Sequence, residues 1–364
     1  MENEPDIIEF LALTVERGGS DLHLCAGSQP MVRVHGDLIP ASDKILDKET
    51  CRELIYSIFT ENQRTRFEET LELDFALMVG HLGRFRSNAH YSRGAVEATF
   101  RHIPDQIPSI DNLGLPPIVK QLCLLEQGLV LVTGITGSGK TTTLAAMVDE
   151  INARRSAVII SIEDPIEYIF THKLSRVKQR EIGADTKSFA IALRHALRQD
   201  PDVILISEMR DLETISAAVT AAETGHLVLA TLHTIDAPKA IDRIVDAFPP
   251  DQQGQILAQL ANSLQAIVAQ RLLTKADGTG RVLCCEVMVM NDGVRSCLRD
   301  RRFQQIISMI ELGARDGMMT FDESVSALYA QGIITRDEAL LNARDPNRIN
   351  ALKPAAPAKK GFFG

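Results

Sequence analysis

The sequence predicts an α/β protein in which a mostly parallel sheet, covered by helices on both faces, follows a smaller α+β domain. Three observations predict it. Gly134-Ile135-Thr136-Gly137-Ser138-Gly139-Lys140-Thr141 fills the phosphate-binding pattern G-x-x-x-x-G-K-[ST] between a strand-like and a helix-like stretch. From Leu129 to Thr231, short aliphatic runs alternate with helically patterned ones, the order that builds parallel sheets. A break from Ile103 to Pro117, carrying Pro104, Pro108, Pro116 and Pro117, divides this region from what precedes it.

Residues 1–102 read as the first domain. Ile7, Ile8, Leu11 and Leu13 suggest a helical start, and Met31 to Asp37 alternates like a strand, with Gly36-Asp37 as a turn into the next. Helical patterning covers Lys48 to Glu69, and strands are expected over Glu72 to Met78, Arg84 to Tyr91 and Val96 to His102. Residues 103–117 form the linker, and the second domain runs over 118–345. In it, Leu129 to Thr133, Ala157 to Ile162, Val203 to Ile206 and Leu227 to Thr231 are the expected strands. Leu144, Met147, Val148 and Ile151 share one face of the helix after the glycine loop, and further helices are expected over Ser188 to Gln199 and Leu212 to Glu223. The remainder, from about 236, reads as largely helical. Residues 346–364 read as a flexible tail, where Lys353, Lys359 and Lys360 accompany Phe362 and Phe363.

Composition bounds the function. A chain of 364 residues holds about two domains with cores that need no disulfide. The net charge of −9 argues against a broad nucleic-acid footprint, and the absence of tryptophan with only four tyrosines leaves few stacking platforms for single strands. No nucleic-acid partner is therefore expected. Six cysteines lie scattered without a C-x-x-C pair, as in a reduced, cytoplasmic protein. The acidic start lacks the order of a secretory leader, and no stretch has the ~20 apolar residues of a membrane span, so direct membrane insertion is not expected.

The glycine loop has a specific chemistry. Gly134, Gly137 and Gly139 let backbone N–H groups turn inward, and the following helix adds its unpaired donors and positive dipole end, so a triphosphate is held. Ile135, Thr136 and Ser138 complete the loop, and Thr142 follows in the first helical turn. Lys140 brings a point charge to the β- and γ-phosphates, and Thr141 offers a hydroxyl to Mg²⁺. ATP with Mg²⁺ is the expected ligand.

Carboxylates stand after two predicted strands, in Glu163-Asp164-Pro165-Ile166-Glu167 and Ser207-Glu208-Met209-Arg210-Asp211. Such strand-end acids hold Mg²⁺ or orient the attacking water. Glu223-Thr224-Gly225-His226 and Thr231-Leu232-His233-Thr234 flank another strand, and both histidines are candidates for sensing the γ-phosphate or for acid/base work near neutral pH. Arg194 and Arg198 share a helix face, and Arg210 follows the second acidic group. In a ring such arginines can reach a nucleotide held by a neighbour. Arg84, Arg86 and Arg101 are further candidates across a domain or subunit boundary.

These motifs together resemble the PilT-like type IV pilus retraction ATPases of the secretion ATPase superfamily. The resemblance runs from Gly19-Ser20-Asp21-Leu22-His23-Leu24 through the glycine loop, Ile162 to Tyr168 like an aspartate box, Asp200 to Leu205, and Ala222 to His233 like a histidine box. It implies a PAS-like N-terminal domain and a RecA-like P-loop ATPase domain. It also implies a cytoplasmic homohexameric motor at the inner-membrane base of a pilus machine. The motor would act on a platform protein and could share the work with a paralogous retraction ATPase in twitching motility. By resemblance Glu163 is the water-activating carboxylate and Glu208 the Walker B acid near Mg²⁺, with Lys140 the third catalytic residue; the two acids could exchange roles. Ser207 replaces the family's usual glycine, and Gly293 to Asp300 matches the retraction-linked A-I-R-N-L-I-R-E segment only in part.

Other readings compete with this one. An extension ATPase would carry a longer N-terminal region and a tetracysteine zinc motif. A GTPase would need N-K-x-D, for which Thr274-Lys275-Ala276-Asp277 is a partial lookalike. A RecA-like nucleic-acid motor shares the fold. An accessory paralogue with weak turnover shares the whole site.

Overall fold

The structure is a computed structural model that describes residues 6–34, 36–103 and 106–352. The expected residues Pro104 and Asp105 of the linker, and the lysines and phenylalanines of the extreme tail, lie outside the described residues. The chain divides into two units, residues 1–106 with Pro165–Ile169, and residues 107–164 with 170–364.

In the first unit, helix α1 (Ile7–Glu16) buries Ile7, Phe10, Leu11 and Thr14, the 3–4 spacing of one face. Asp6 caps it by accepting from the Ile8 N–H. Strands β1 (Asp21–Leu24), β2 (Met31–Val34) and β3 (Asp37–Pro40) follow, then helices α2 (Lys48–Tyr56) and α3 (Glu61–Thr70). The helical stretch expected over Lys48 to Glu69 is thus two helices, because Thr60 and Gln63 form a capping box that starts the second. Strands β4 (Glu72–Val79), β5 (Gly83–Ser92) and β6 (Ala95–Ile103) complete an antiparallel sheet of order β3-β2-β1-β6-β5-β4. Phe67 stacks on Tyr91 at 5.2 Å and meets Phe59 at 5.4 Å, so aromatic rings fill the space between α3 and the sheet.

The second unit opens with α4 (Ile118–Leu122), then β7 (Gly128–Thr133), α5 (Lys140–Arg154), β8 (Val158–Glu163), β9 (Arg176–Glu181), α6 (Phe189–Ala196), β10 (Val203–Ile206), α7 (Leu212–Glu223) and β11 (Leu227–Leu232). Every residue of β7, β10 and β11 is buried, as befits parallel strands with both faces covered. At the sheet's edge, β9 exposes Arg176 and Lys178, charges that discourage further strand pairing.

Beyond residue 236 the largely helical expectation needs correction. Helices α8 (Ala237–Asp246) and α9 (Gln253–Ser263) lead into β12 (Leu264–Thr274) and β13 (Arg281–Val289), an antiparallel pair. β12 also runs parallel to β7, giving the order β13-β12-β7-β11-β10-β8-β9. The sequence from Leu264 to Leu273 is a mostly apolar run, interrupted by Gln265, Gln270 and Arg271, that periodicity alone cannot assign, and pairing with two neighbours settles it as strand.

Helices α10 (Asp292–Arg299), α11 (Ile306–Leu312), α12 (Phe321–Ala330), α13 (Arg336–Asn342) and α14 (Pro346–Asn350) close the unit. Residues 346–350, expected to begin the tail, instead form α14, which buries Ile349 completely in a cluster with Phe321, Val325 and Tyr329.

Candidate functional site

The site is built at the carboxyl ends of adjacent parallel strands. In the order β7-β11-β10-β8, these ends carry the glycine loop, His233, Glu208 and Glu163. Four segments distant in sequence so share one sheet edge, where open α/β sheets gather ligands.

Residues 134–139 turn between β7 and α5. Gly134 has φ +149°, and a Cβ there would lie 2.4 Å from the Gln270 carbonyl oxygen and 2.5 Å from Ser138 Oγ. Both backbone angle and space thus require glycine. Gly139 (φ +88°) precedes α5 as its cap and has no side chain with which to close the helix start. A fifteen-residue helix that opens on a glycine presents its first N–H groups and a positive dipole end toward the loop, where an anion is favoured.

Lys140 is buried, and its Nζ donates to the carbonyls of Gly134 (2.9 Å) and Ile135 (3.0 Å). The ammonium is therefore held against the loop it serves. Thr141 and Thr142 stand half-buried in the first turn. Around this loop the hydroxyls of Thr133, Ser138 and Thr234 and the amide oxygen of Gln270 are buried without a hydrogen-bond partner among the described residues. Burying such a group unpaired costs about 1–3 kcal/mol, so a polar, oxygen-rich ligand shell suits this place. Hydroxyl and carboxylate oxygens are the hard donors that magnesium prefers.

Glu163 ends β8 and is 4% exposed. Its Oε1 accepts from Ser161 Oγ (2.6 Å) and Gln179 Nε2 (3.1 Å). Ser161 lies two residues back on the same strand face and pairs in register with Gln179 of β9, so strand geometry aims both donors at one carboxylate oxygen.

Glu208 follows β10 in a segment that continues the sheet, with Ser207 N–H donating to Ile162 O and Met209 N–H to Thr231 O. The Thr231 hydroxyl also donates to the Ser207 carbonyl. Glu208 Oε1 meets Arg210 Nε at 2.6 Å and His233 Nε2 at 3.2 Å. Burial alone would raise the Glu208 carboxyl, but the Arg210 hydrogen bond and the His233 charge outweigh it and hold it below the usual carboxylate range.

Not every expected residue arrives here. His226 precedes β11, its carbonyl accepts from Gly128 N–H at the start of β7, and its Nδ1 contacts the Ala221 carbonyl at 2.9 Å. It stands at the opposite end of the sheet from the glycine loop, because a six-residue strand separates it from His233. Arg194 is exposed on the last turn of α6, with no hydrogen bond or ion pair to the loop of its own chain among the described residues. In the first unit Arg101 pairs with Asp21 (2.8 Å) and Arg86 with Glu167 (3.0 Å).

One residue was missed. Gln270, 1% exposed on β12, donates from Nε2 to the Ser138 carbonyl at 2.7 Å. The lookalike Thr274-Lys275-Ala276-Asp277 starts at the last residue of this same strand and leads into the turn before β13.

Fold and site define a RecA-like P-loop ATPase with an N-terminal domain. The type II/IV secretion system protein family matches residues 97–340. The type IV pilus retractation ATPase PilT of Pseudomonas aeruginosa is 46% identical over 344 residues, spanning 94% of this chain and all of that protein. The type IV pilus ATPase PilU of the same organism is 43% identical over 94% of this chain and 90% of its own length. A crystal structure of the pilus retraction motor PilT with bound ADP superposes with TM-score 0.87 at 47% identity, covering 94% of this chain and 98% of that one. The chain belongs to the type II/IV secretion system protein family, as a PilT-like ATPase.

Proposed function

We propose that this chain is the ATP-hydrolysing motor of type IV pilus retraction, working as a homohexamer on a platform protein at the cytoplasmic face of the inner membrane. The observation that carries it is the glycine cradle opening α5 beside a row of strand-end carboxylates, in a chain similar over nearly its whole length to a retraction ATPase. No helix among the described residues is long and apolar enough to cross a membrane, so the pull on the pilus passes through a partner.

The chemistry follows from the placement. Residues 134–142 hold the triphosphate, with Lys140 turning from the loop carbonyls to the β- and γ-phosphates. Thr141 and Glu208 would hold magnesium, which supplies charge neutralisation when bound. Glu163, fixed by Ser161 and Gln179, takes a proton from the attacking water. The water oxygen then bonds the γ-phosphorus as the bond to the bridging β,γ-oxygen breaks, leaving ADP and phosphate. His233 and Arg210 hold Glu208 and so register whether the γ-phosphate is present. Arg194 serves the nucleotide of a neighbouring subunit.

The similarity to PilU supports a second reading, in which this chain assists a paralogous motor. The deciding measurement pairs purified protein with cells. Glu163→Gln should bind Mg-ATP as the parent does and lose at least a hundredfold in turnover, while Lys140→Ala loses binding. Pilus retraction should cease in cells carrying Glu163→Gln as the sole copy. Normal turnover by Glu163→Gln removes it as the base, and persisting retraction favours the assisting role.

A further inference from the structure

We infer that Gln270 is a positioning residue that holds the phosphate cradle in its anion-binding shape. The inference rests on the reading of residues 134–142 as the phosphate site.

β12 lies directly beside β7, with Ala269 opposite Thr133, the last residue before the loop. Side chains alternate along it. Ala269 and Leu273 pack into the cluster around Phe321, and the Arg271 guanidinium lies 4.3 Å from the centre of that ring. Gln270 and Leu272 point the other way, toward the loop, where a Cβ on Gly139 would meet Gln270 Nε2 at 3.3 Å and Leu272 Cδ1 at 4.0 Å.

Gln270 grips the loop at two places. Its backbone carbonyl closes the space behind Gly134, and its side-chain amide donates to the Ser138 carbonyl. A carbonyl is an acceptor only, so the amide must present its NH₂ group, and the orientation of the side chain is fixed. Pinning the Ser138 carbonyl orients the peptide that follows it, whose N–H belongs to Gly139 at the mouth of α5. The other face of that peptide is the cradle. Because Gln270 is almost wholly buried, no water can replace its hydrogen bond when it is lost.

Gln270 touches the loop and not the reacting atoms, so it should affect all bound nucleotides alike. The test uses the full-length assembled protein, with Gln270→Met, which keeps the volume and removes the donor, and Gln270→Glu, which sets an acceptor against an acceptor. Gln270→Met should raise the Mg-ADP Kd and the ATP KM together, roughly tenfold, with kcat within about twofold of the parent. Gln270→Glu should lose more. In both, the rise in thermal midpoint on adding Mg-ADP should shrink, a readout that a purely structural brace would leave intact while lowering the nucleotide-free midpoint. Unchanged Kd and KM in the two variants overturn the inference, whatever their stability. Lys140→Ala, assayed alongside, separates the two levels. If it binds nucleotide like the parent, the phosphate site itself is misassigned and this inference falls with it; if only it loses binding, this inference falls alone.

Discussion

At the scale of single residues, the two kinds of glycine in the phosphate loop make the sharpest contrast. Gly134 and Gly137 both have positive φ, but a Cβ on Gly137 meets nothing within 4 Å, whereas one on Gly134 collides with the Gln270 carbonyl and Ser138 Oγ. Gly137→Ala therefore bears backbone strain alone, about 1–2 kcal/mol. Gly134→Ala adds a clash with the main chain of β12, which cannot rotate aside as a side chain does. It should lose ~3 kcal/mol or more and shift the loop off its neighbour. Urea unfolding and Mg-ADP titration of the two variants check this. Similar losses in both would mean that the loop yields and the close packing against Gln270 has no consequence.

At the scale of elements, legibility follows the strand termini. Glu163, Glu208 and His233 could be found in the sequence because each stands at or just after the end of an aliphatic run, and parallel pairing brings such ends together. His226 belongs to the same stretch of sequence as His233, yet β11 carries the two to opposite edges, roughly 20 Å apart at ~3.3 Å per residue. A motif read as one unit was split by the geometry of the strand inside it. Gln270 was illegible for a different reason. Its run, rich in leucine and alanine, suits a helix by local preference, and only the ladders to β7 and β13 make it a strand. The polar anchor of the last helices was equally hidden, since Asp236, Glu286 and Arg344 are far apart in sequence. Arg344 meets Asp236 at 3.0 Å and Glu286 at 3.3 Å, and Glu286 Oε1 accepts from the Ala237 N–H that opens α8. Burial pushes the Glu286 carboxyl upward, partly offset by that N–H and by Arg344. Arg344→Met leaves Glu286 without its cation and should cost about 3 kcal/mol near neutral pH. The sign of the pH dependence is fixed: a carboxyl raised in the folded state binds more protons there than in the unfolded chain. The penalty is therefore smallest below the ordinary glutamate value and grows as pH rises through the raised one. Urea unfolding of parent and variant at pH 5 and pH 8 should show the larger difference at pH 8. An equal difference at both would mean that Glu286 is not the group left uncompensated.

At the scale of the whole molecule, the proposed ring decides what a single chain cannot show. Within one chain the phosphate loop, Glu163, Glu208 and His233 share a sheet edge, while Arg194 stands exposed on α6 without a partner among the described residues. An exposed guanidinium of this kind either dangles in water, worth little, or completes the site of an adjacent subunit, where it would offset charge on the transferring phosphoryl group. Mixing separates the two. Lys140→Ala chains keep Arg194 but cannot hold nucleotide, and Arg194→Ala chains hold nucleotide but lack the guanidinium, so each alone should turn over ATP at least a hundredfold more slowly than the parent. In rings assembled from equal amounts of both, a site is whole when an intact loop faces an intact Arg194. Random closure of a cyclic ring then restores about a quarter of the parental sites. Recovery on that order requires that the arginine act across the subunit boundary, because no chain in the mixture carries both groups. If the mixture shows only the sum of the two weak activities although subunits demonstrably exchange, Arg194 does not serve a neighbour, and the arginine that stabilises transfer must be sought elsewhere in the chain.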